Sequence, residues 1–224
     1  MKQVAWLGVV GFLLSCSREI PLPQYEEGQV LFPVEEGRNW VYEVRETTYT
    51  TLGSVPNRYF LRVRIDTPTI DAYRRNCFYV VWDTTSSLEQ AKWGFLRVGL
   101  IYQDSIQTEL WEDNRRYLLL RFPLSPVIRW NRNEYTDLPP EICRYHTLDT
   151  VYSLEANSFS HSVIVLRRLD TLGLLRKALH YEVYTRGLGL IHRYERLDAY
   201  NLSPNGVLTR STDSYHRELR LYYP

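Results

Sequence analysis

Two tripeptides pair an imidazole with a carboxylate, His180-Tyr181-Glu182 and His216-Arg217-Glu218. On a β-strand residues i and i+2 share a face, so each His stands beside its Glu. Two such pairs on neighbouring strands could bind a metal or move a proton. The plainer alternative, which the sequence favours, is a solvated face of cross-strand polar pairs. A second candidate is Gly187-Leu188-Gly189. No third Gly follows at dinucleotide spacing, and the segment sits in a strand pattern. There a missing side chain lets a ligand or partner chain approach the backbone, or lets the sheet curve. Gly187 and Gly189 therefore mark the expected ligand or partner face. The chain has no Gly-x-Ser-x-Gly, His-Glu-x-x-His, P-loop or Cys-x-x-Cys motif. No catalytic, cofactor-binding or metal-binding residue is assigned, and no cofactor is expected.

A different chemistry is written at the N-terminus. Lys2 is followed by an uncharged, mostly apolar run, Val4 to Leu14. That is shorter than the roughly 20 residues that span a hydrocarbon core and suits a signal-peptide core. The run ends in Leu13-Leu14-Ser15-Cys16. This resembles the lipobox of bacterial lipoproteins, with Leu at −3, a small residue at −1 and then Cys. The resemblance implies removal of residues 1–15, a diacylglyceryl group on the Cys16 thiol and palmitate among the acyl chains. Two or three chains, at roughly 0.8 kcal/mol per buried methylene, would make release from the membrane negligible. Cys77 and Cys143 then remain as an even pair in an oxidising compartment. A disulfide between them would close a loop of about 67 residues and contribute about 4 kcal/mol. The alternative is two buried free thiols.

Residues 16–31 read as the lipidated Cys and a tether, because Pro21, Pro23 and Gly28 interrupt any periodicity. From Phe32 the dominant period is two. Trp40, Tyr42 and Val44 alternate with Val41, Glu43 and Arg45. Residues 77–82 form an apolar run suited to a buried strand. Similar runs lie near 61–65, 94–102, 116–122, 150–155, 162–169, 180–185, 188–198 and 215–223. In the 188–198 run, alternation puts Leu188, Leu190, His192 and Tyr194 on one face. Helical spacing is confined to Ser87–Trp93 and to Thr171–Leu179, the latter equally a hairpin tip. About ten strands predict an all-β fold, mainly antiparallel, as a curled sheet, sandwich or barrel-like body, with few or no helices outside the signal peptide. Residues 32–224 read as one domain, whose halves 32–121 and 122–224 echo each other. Phe32-Pro33-Val34 precedes Trp40 as Phe122-Pro123-Leu124 precedes Trp130, and Val98-Gly99-Leu100-Ile101 is matched by Leu188-Gly189-Leu190-Ile191, both at an offset of 90. Trp40 and Trp130 should each be buried at the start of a strand.

These blocks also carry a family pattern. Phe32-Pro33-Val34-Glu35-Glu36-Gly37-Arg38-Asn39-Trp40-Val41-Tyr42 resembles the FPL-x-x-G-x-x-W-x-Y opening of an uncharacterised lipoprotein family of Bacteroidota. Leu120-Arg121-Phe122-Pro123-Leu124 with Trp130 is similar to its second FP…W block. Tyr184-Thr185-Arg186-Gly187-Leu188-Gly189-Leu190-Ile191 is similar to its late YAKGVGLV strand, and Gly206 with Leu219-Arg220-Leu221-Tyr222 to its closing strand. Ser125-Pro126-Val127 departs from the Gly-containing turn of that pattern. The resemblance implies an envelope lipoprotein with a β-rich body and carries over no catalytic residue.

Composition narrows the function. The 224 residues are 44% hydrophobic and 24% charged, with 27 Lys plus Arg against 26 Asp plus Glu. A net charge of +1 lacks the basic footprint that nucleic-acid binding needs. The sequence thus predicts a lipid-anchored cell-envelope protein, with the outer membrane as its site and either the periplasmic or the surface face. It is expected to bind another envelope protein or a small ligand rather than to catalyse. The alternatives are a carrier of an apolar molecule inside a curled sheet, and a hydrolase with an unrecognised site.

Overall fold

The computed structural model describes residues 30–89 and 91–222. The expected signal peptide, Cys16 and the expected tether up to residue 29 lie outside the described residues. Thirteen strands follow one another: β1 (Asn39–Thr50), β2 (Gly53–Ile70), β3 (Asn76–Thr85), β4 (Gly94–Gln103), β5 (Gln107–Glu112), β6 (Arg115–Arg121), β7 (Arg129–Asn131), β8 (Ile142–Leu154), β9 (Asn157–Asp170), β10 (Arg176–Thr185), β11 (Gly189–Leu202), β12 (Leu208–Arg210) and β13 (Tyr215–Leu221). All pair antiparallel in one sheet of order β6-β5-β4-β3-β2-β1-β13-β11-β10-β9-β8-β7, with β12 added on β11. The sheet curls until its two ends meet. The Leu118 amide donates to the Arg132 carbonyl at 2.9 Å, and Arg116 bridges Tyr135. The result is a nearly closed, barrel-like sheet, as the alternation predicted.

The boundary at 121/122 falls between β6 and β7, so the chain is two successive meanders joined where β1 pairs β13. The two Trp occupy matching places. Each is the second residue of its meander's first strand, Trp40 at 6% exposure and Trp130 at 4%. Each indole donates to a backbone carbonyl, Trp40 to Leu188 and Trp130 to Leu118 at 3.2 Å. The main core fills the concave side with Leu31, Tyr42, Val44, Leu61, Val80, Trp82 and Ile101, among others.

A second, smaller core lies on the convex side. Leu154, Phe159, Val183 and Ile191 form it. The long β8–β9 hairpin reaches it by bending, through register shifts between Tyr145 and Thr147, Thr147 and Thr150, and Thr150 and Tyr152. At the bend Asp149 and His161 both take positive φ and pair at 2.7 Å. Such bulges add twist and turn a strand out of the sheet's path.

Four expectations need correction. Cys77 and Cys143 are not bridged: both are buried free thiols, on β3 and β8, which are not neighbours. Each donates to a nearby carbonyl instead, Cys77 to Arg75 at 3.5 Å and Cys143 to Glu141 at 3.8 Å. Leu31, placed in the tether by its surroundings, is fully buried in the core. The described residues of Ser87–Trp93 form no helix, and Thr171–Leu175 is the hairpin tip, with β10 resuming at Arg176. Finally, β11 does not keep one alternation. A bulge where Val183 pairs His192 and Tyr184 pairs Leu190 leaves Ile191 unpaired. Leu190 joins the main core, while Ile191 joins the convex one.

Candidate functional site

The concave side encloses a cavity of about 340 Å³. Its two walls differ because the two meanders differ. From the first meander come Leu61, Val63, Val80, Trp82, Ile101 and Leu110, together with one charged pair, Arg97–Glu112 at 3.0 Å. From the second come Arg132, Glu141, Arg167, Arg193, Glu195 and Arg217, set among Leu138, Tyr184, Leu190 and Leu219. The interior is thus mainly apolar on one side and carries most of its charges on the other.

Strand register builds the ionic side in rows. Val44, Leu219, Arg193, Glu182 and Val165 are successive partners across β1, β13, β11, β10 and β9. In the next row Glu46, Arg217, Glu195 and His180 face one another. Charges alternate from Glu46 through Arg217 to Glu195, which is the favourable order for directly opposite residues. Arg217 Nε lies 2.7 Å from Glu46. Arg167 ties the rows together, donating to Glu141 at 2.8 Å, Glu182 at 3.2 Å and Glu195 at 2.5 Å.

Glu182 is the hub. It is fully buried, and its Oε1 accepts from Arg167 and, at 2.9 Å, from Arg193 Nε. Its Oε2 accepts from the Tyr184 hydroxyl at 2.7 Å. Arg132, itself 5% exposed, brings Nη1 to 3.5 Å from Glu182 Oε1 but makes no hydrogen bond through that nitrogen. Burial alone would raise the Glu182 pKa, but Arg193, Arg132 and Arg167 outweigh it and hold the carboxyl below its ordinary range. Glu195 behaves alike: burial opposes ionisation, yet Arg167 and Arg193 lower its pKa to about 2. Three guanidiniums therefore face three carboxylates in a neutral, desolvated cluster. Such a cluster fixes geometry, and removing one member would strand a buried charge.

One end of the cavity is sealed. Phe32 stacks on Trp40 with centroids 5.7 Å apart and meets Tyr184 edge-on at 5.9 Å. Tyr42 donates to the Leu190 carbonyl at 2.8 Å just beside them. The ionic rows lie toward the other end, since Glu195 is five residues beyond Leu190, roughly 15 Å along β11.

The sequence candidates are distributed as follows. His180 and Glu182 do share a face, but it is the concave one, and both are buried rather than solvated. Burial lowers the His180 pKa, and its Nε2 lies 3.2 Å from the Tyr215 hydroxyl. Glu218 is on the convex side and pairs with His192, not with the half-buried His216 two residues before it. His192 Nε2 and Glu218 Oε1 are 2.8 Å apart, and Tyr152 Oη approaches His192 Nδ1 at 2.6 Å. A carboxylate can only accept, so His192 donates from Nε2, and the Tyr152 hydroxyl occupies Nδ1. This chain fastens the β8–β9 hairpin to the sheet. The two His-x-Glu pairs therefore do not converge, and no group of three His, Cys, Asp or Glu able to hold a metal occurs among the described residues. Gly187 and Gly189 both have positive φ. The approach over Gly189 is taken by the chain itself, while the space beside the Gly187 Cα is open. The Gly187 amide donates to the Val30 carbonyl at 2.6 Å, its carbonyl accepts from Arg38, and Trp40 and Phe32 lie directly over Gly189. The ionic cluster itself was missed. Its trace in the sequence is a charge set inside an apolar run, as in Tyr181-Glu182-Val183-Tyr184 and Val163-Ile164-Val165-Leu166-Arg167.

No protein-family model matches the chain, and no curated protein is similar to it. Two solved structures resemble it loosely in shape. One is a protein of Parabacteroides distasonis described as a lipoprotein, with a TM-score of 0.39 and 12% identity over 86% of this chain and 98% of that one. The other is a protein of Bacteroides fragilis described as exported and of YmcC-like fold, with a TM-score of 0.37 and 12% identity over 87% and 99%.

Proposed function

We propose that the protein is a lipid-anchored envelope protein that binds a small, partly apolar molecule inside its barrel. The 340 Å³ cavity between an apolar and an ionic wall carries this reading. Its volume falls within the range of about 300–1,000 Å³ that small-molecule sites occupy. The Leu13-Leu14-Ser15-Cys16 segment supports anchoring through Cys16, and the Bacteroidota-like blocks support the outer membrane as its site. Binding is favoured over hydrolysis because the two His-x-Glu pairs lie on opposite sides of the sheet, with Glu182 held by arginines and Glu218 by His192 and Arg220.

The test uses residues 16–224 with Cys16→Ser, which needs no detergent, and the neutral probe N-phenyl-1-naphthylamine. Trp40 and Trp82 line the cavity, so bound probe should take energy from their emission and saturate at one per chain. Val63→Phe, which narrows the cavity without touching an ion pair, should lower that saturation. Unsaturable or absent binding would overturn the cavity reading. In cells, Cys16→Ser should abolish acyl labelling, and unchanged labelling would overturn the anchor.

A further inference from the structure

Resting on the cavity reading above, we infer that the bound molecule is an amphiphile with a single anionic group, which sits on Arg132 while its apolar body lies against Leu61, Val80 and Trp82. Arg132 borders the cavity and is almost fully buried, yet its Nη1 has no hydrogen-bond partner. A buried donor left unpaired is costly and marks a place for an acceptor. Glu182, the nearest acid, cannot serve. Its Oε1 stands 3.5 Å away and already accepts from Arg167 and Arg193, and its Oε2 accepts from Tyr184.

The chemistry of the missing acceptor follows from its neighbours. A cation would need a free carboxylate, but Glu141, Glu182 and Glu195 are all engaged by Arg167. A carboxylate or similar oxyanion matches the guanidinium fork and makes the stronger, charge-assisted bond. One negative charge is what the site can take. The inner cluster is already balanced, and Arg97 and Arg217 are held by Glu112 and Glu46. Arg97 and Arg217 each leave Nε without a hydrogen bond, but a second negative charge on either would have to compete with the Glu112 or Glu46 carboxylate already paired to it. Apart from the Arg97–Glu112 pair, the opposite wall offers mainly hydrocarbon and aromatic rings, Trp82 among them, to the rest of the molecule. A volume near the lower end of the range for ligand sites admits one medium acyl chain or one fused ring system. A diacyl lipid does not fit.

Decanoate and 1-decanol share a chain and differ in the charge. They are compared at pH 7.5 as displacers of N-phenyl-1-naphthylamine from the Cys16→Ser chain. Decanoate should reach half-displacement at a concentration at least tenfold lower than decanol. Arg132→Met should remove that difference by weakening decanoate alone, whereas Arg129→Met, at an exposed β7 residue outside the cavity lining, should keep it. Equal potency of the two on the unsubstituted cavity would overturn the anionic group and leave the cavity reading standing. Failure of the probe to bind at all would overturn both. A tenfold preference that survives Arg132→Met would overturn the placement on Arg132. If that variant does not fold, judged by circular dichroism, the decanoate–decanol comparison alone still decides the charge.

Discussion

Two glycines two residues apart at the β10–β11 turn offer a matched pair of perturbations. Gly187 and Gly189 have φ of +75° and +85°, so an alanine at either site pays the left-handed backbone cost of about 1–2 kcal/mol. Their surroundings differ. A Cβ on Gly187 would meet nothing within 4 Å. A Cβ on Gly189 would lie 3.3 Å from Trp40 Cζ2 and 3.5 Å from Phe32 Cδ2. Trp40 has little room to retreat, because its ring stacks on Phe32 and its indole nitrogen donates to the Leu188 carbonyl. Forcing extra volume into such packing costs about 1–3 kcal/mol. Gly189→Ala should therefore destabilise by about 2–5 kcal/mol and Gly187→Ala by only about 1–2. Urea unfolding followed by far-ultraviolet circular dichroism reads the difference as a shift in midpoint at unchanged slope. Equal losses in the two variants would refute the argument, for then Trp40 yields freely and the glycine serves the backbone alone.

Two further outcomes follow from the buried charges and thiols. The Glu195 pKa lies at about 2 in the folded chain against an ordinary 4.5, so as pH falls the unfolded chain takes up its proton first. Its contribution, about 3 kcal/mol, is present above pH 4.5 and is lost as pH falls from 4.5 to 2; Glu182 acts in the same direction. Unfolding free energies at pH 6, 4 and 3 should decline accordingly, less steeply in Glu195→Gln, and a flat profile would count against the cluster. Burial pushes the Cys143 thiol up to about 12 and the Cys77 thiol up to about 11. Both should resist iodoacetamide at pH 8 in the folded protein and react in urea without reductant. Two thiols that stay unreactive in urea until a reductant is added would establish the bridge instead.

The strands were legible wherever a run was apolar or strictly alternating. The stretch 77–82 became β3, and the Phe-Pro lead-ins did place Trp40 and Trp130 second in a strand. The strands that escaped lacked that signal for physical reasons. β7 and β12 are three residues long and borrow their order from neighbours. β5 carries Glu109 in its middle, which reads as solvent-facing. It is fully buried because Arg75 and Arg116 close on it at 3.0 and 2.7 Å. The same ambiguity hid the cavity. Alternation separates two faces but does not say which is inward, and here the inward face of the second meander is the charged one. Glu182 beside Val183, and Arg193 and Glu195 on the next strand, look like a water-facing ladder until the sheet curls and encloses them. The inward face of the second meander mixes these charges with Leu190 and Leu219, and that mixture also explains why a cavity persists. The guanidiniums must stay on their carboxylates and cannot cross to the hydrocarbon wall without losing them. The hydrocarbon wall cannot move inward either, because β1 to β6 are held by ladder hydrogen bonds and by the β6–β7 closure. The space between the walls is a consequence of two incompatible surfaces held at a fixed distance, and a molecule with one end of each kind satisfies both.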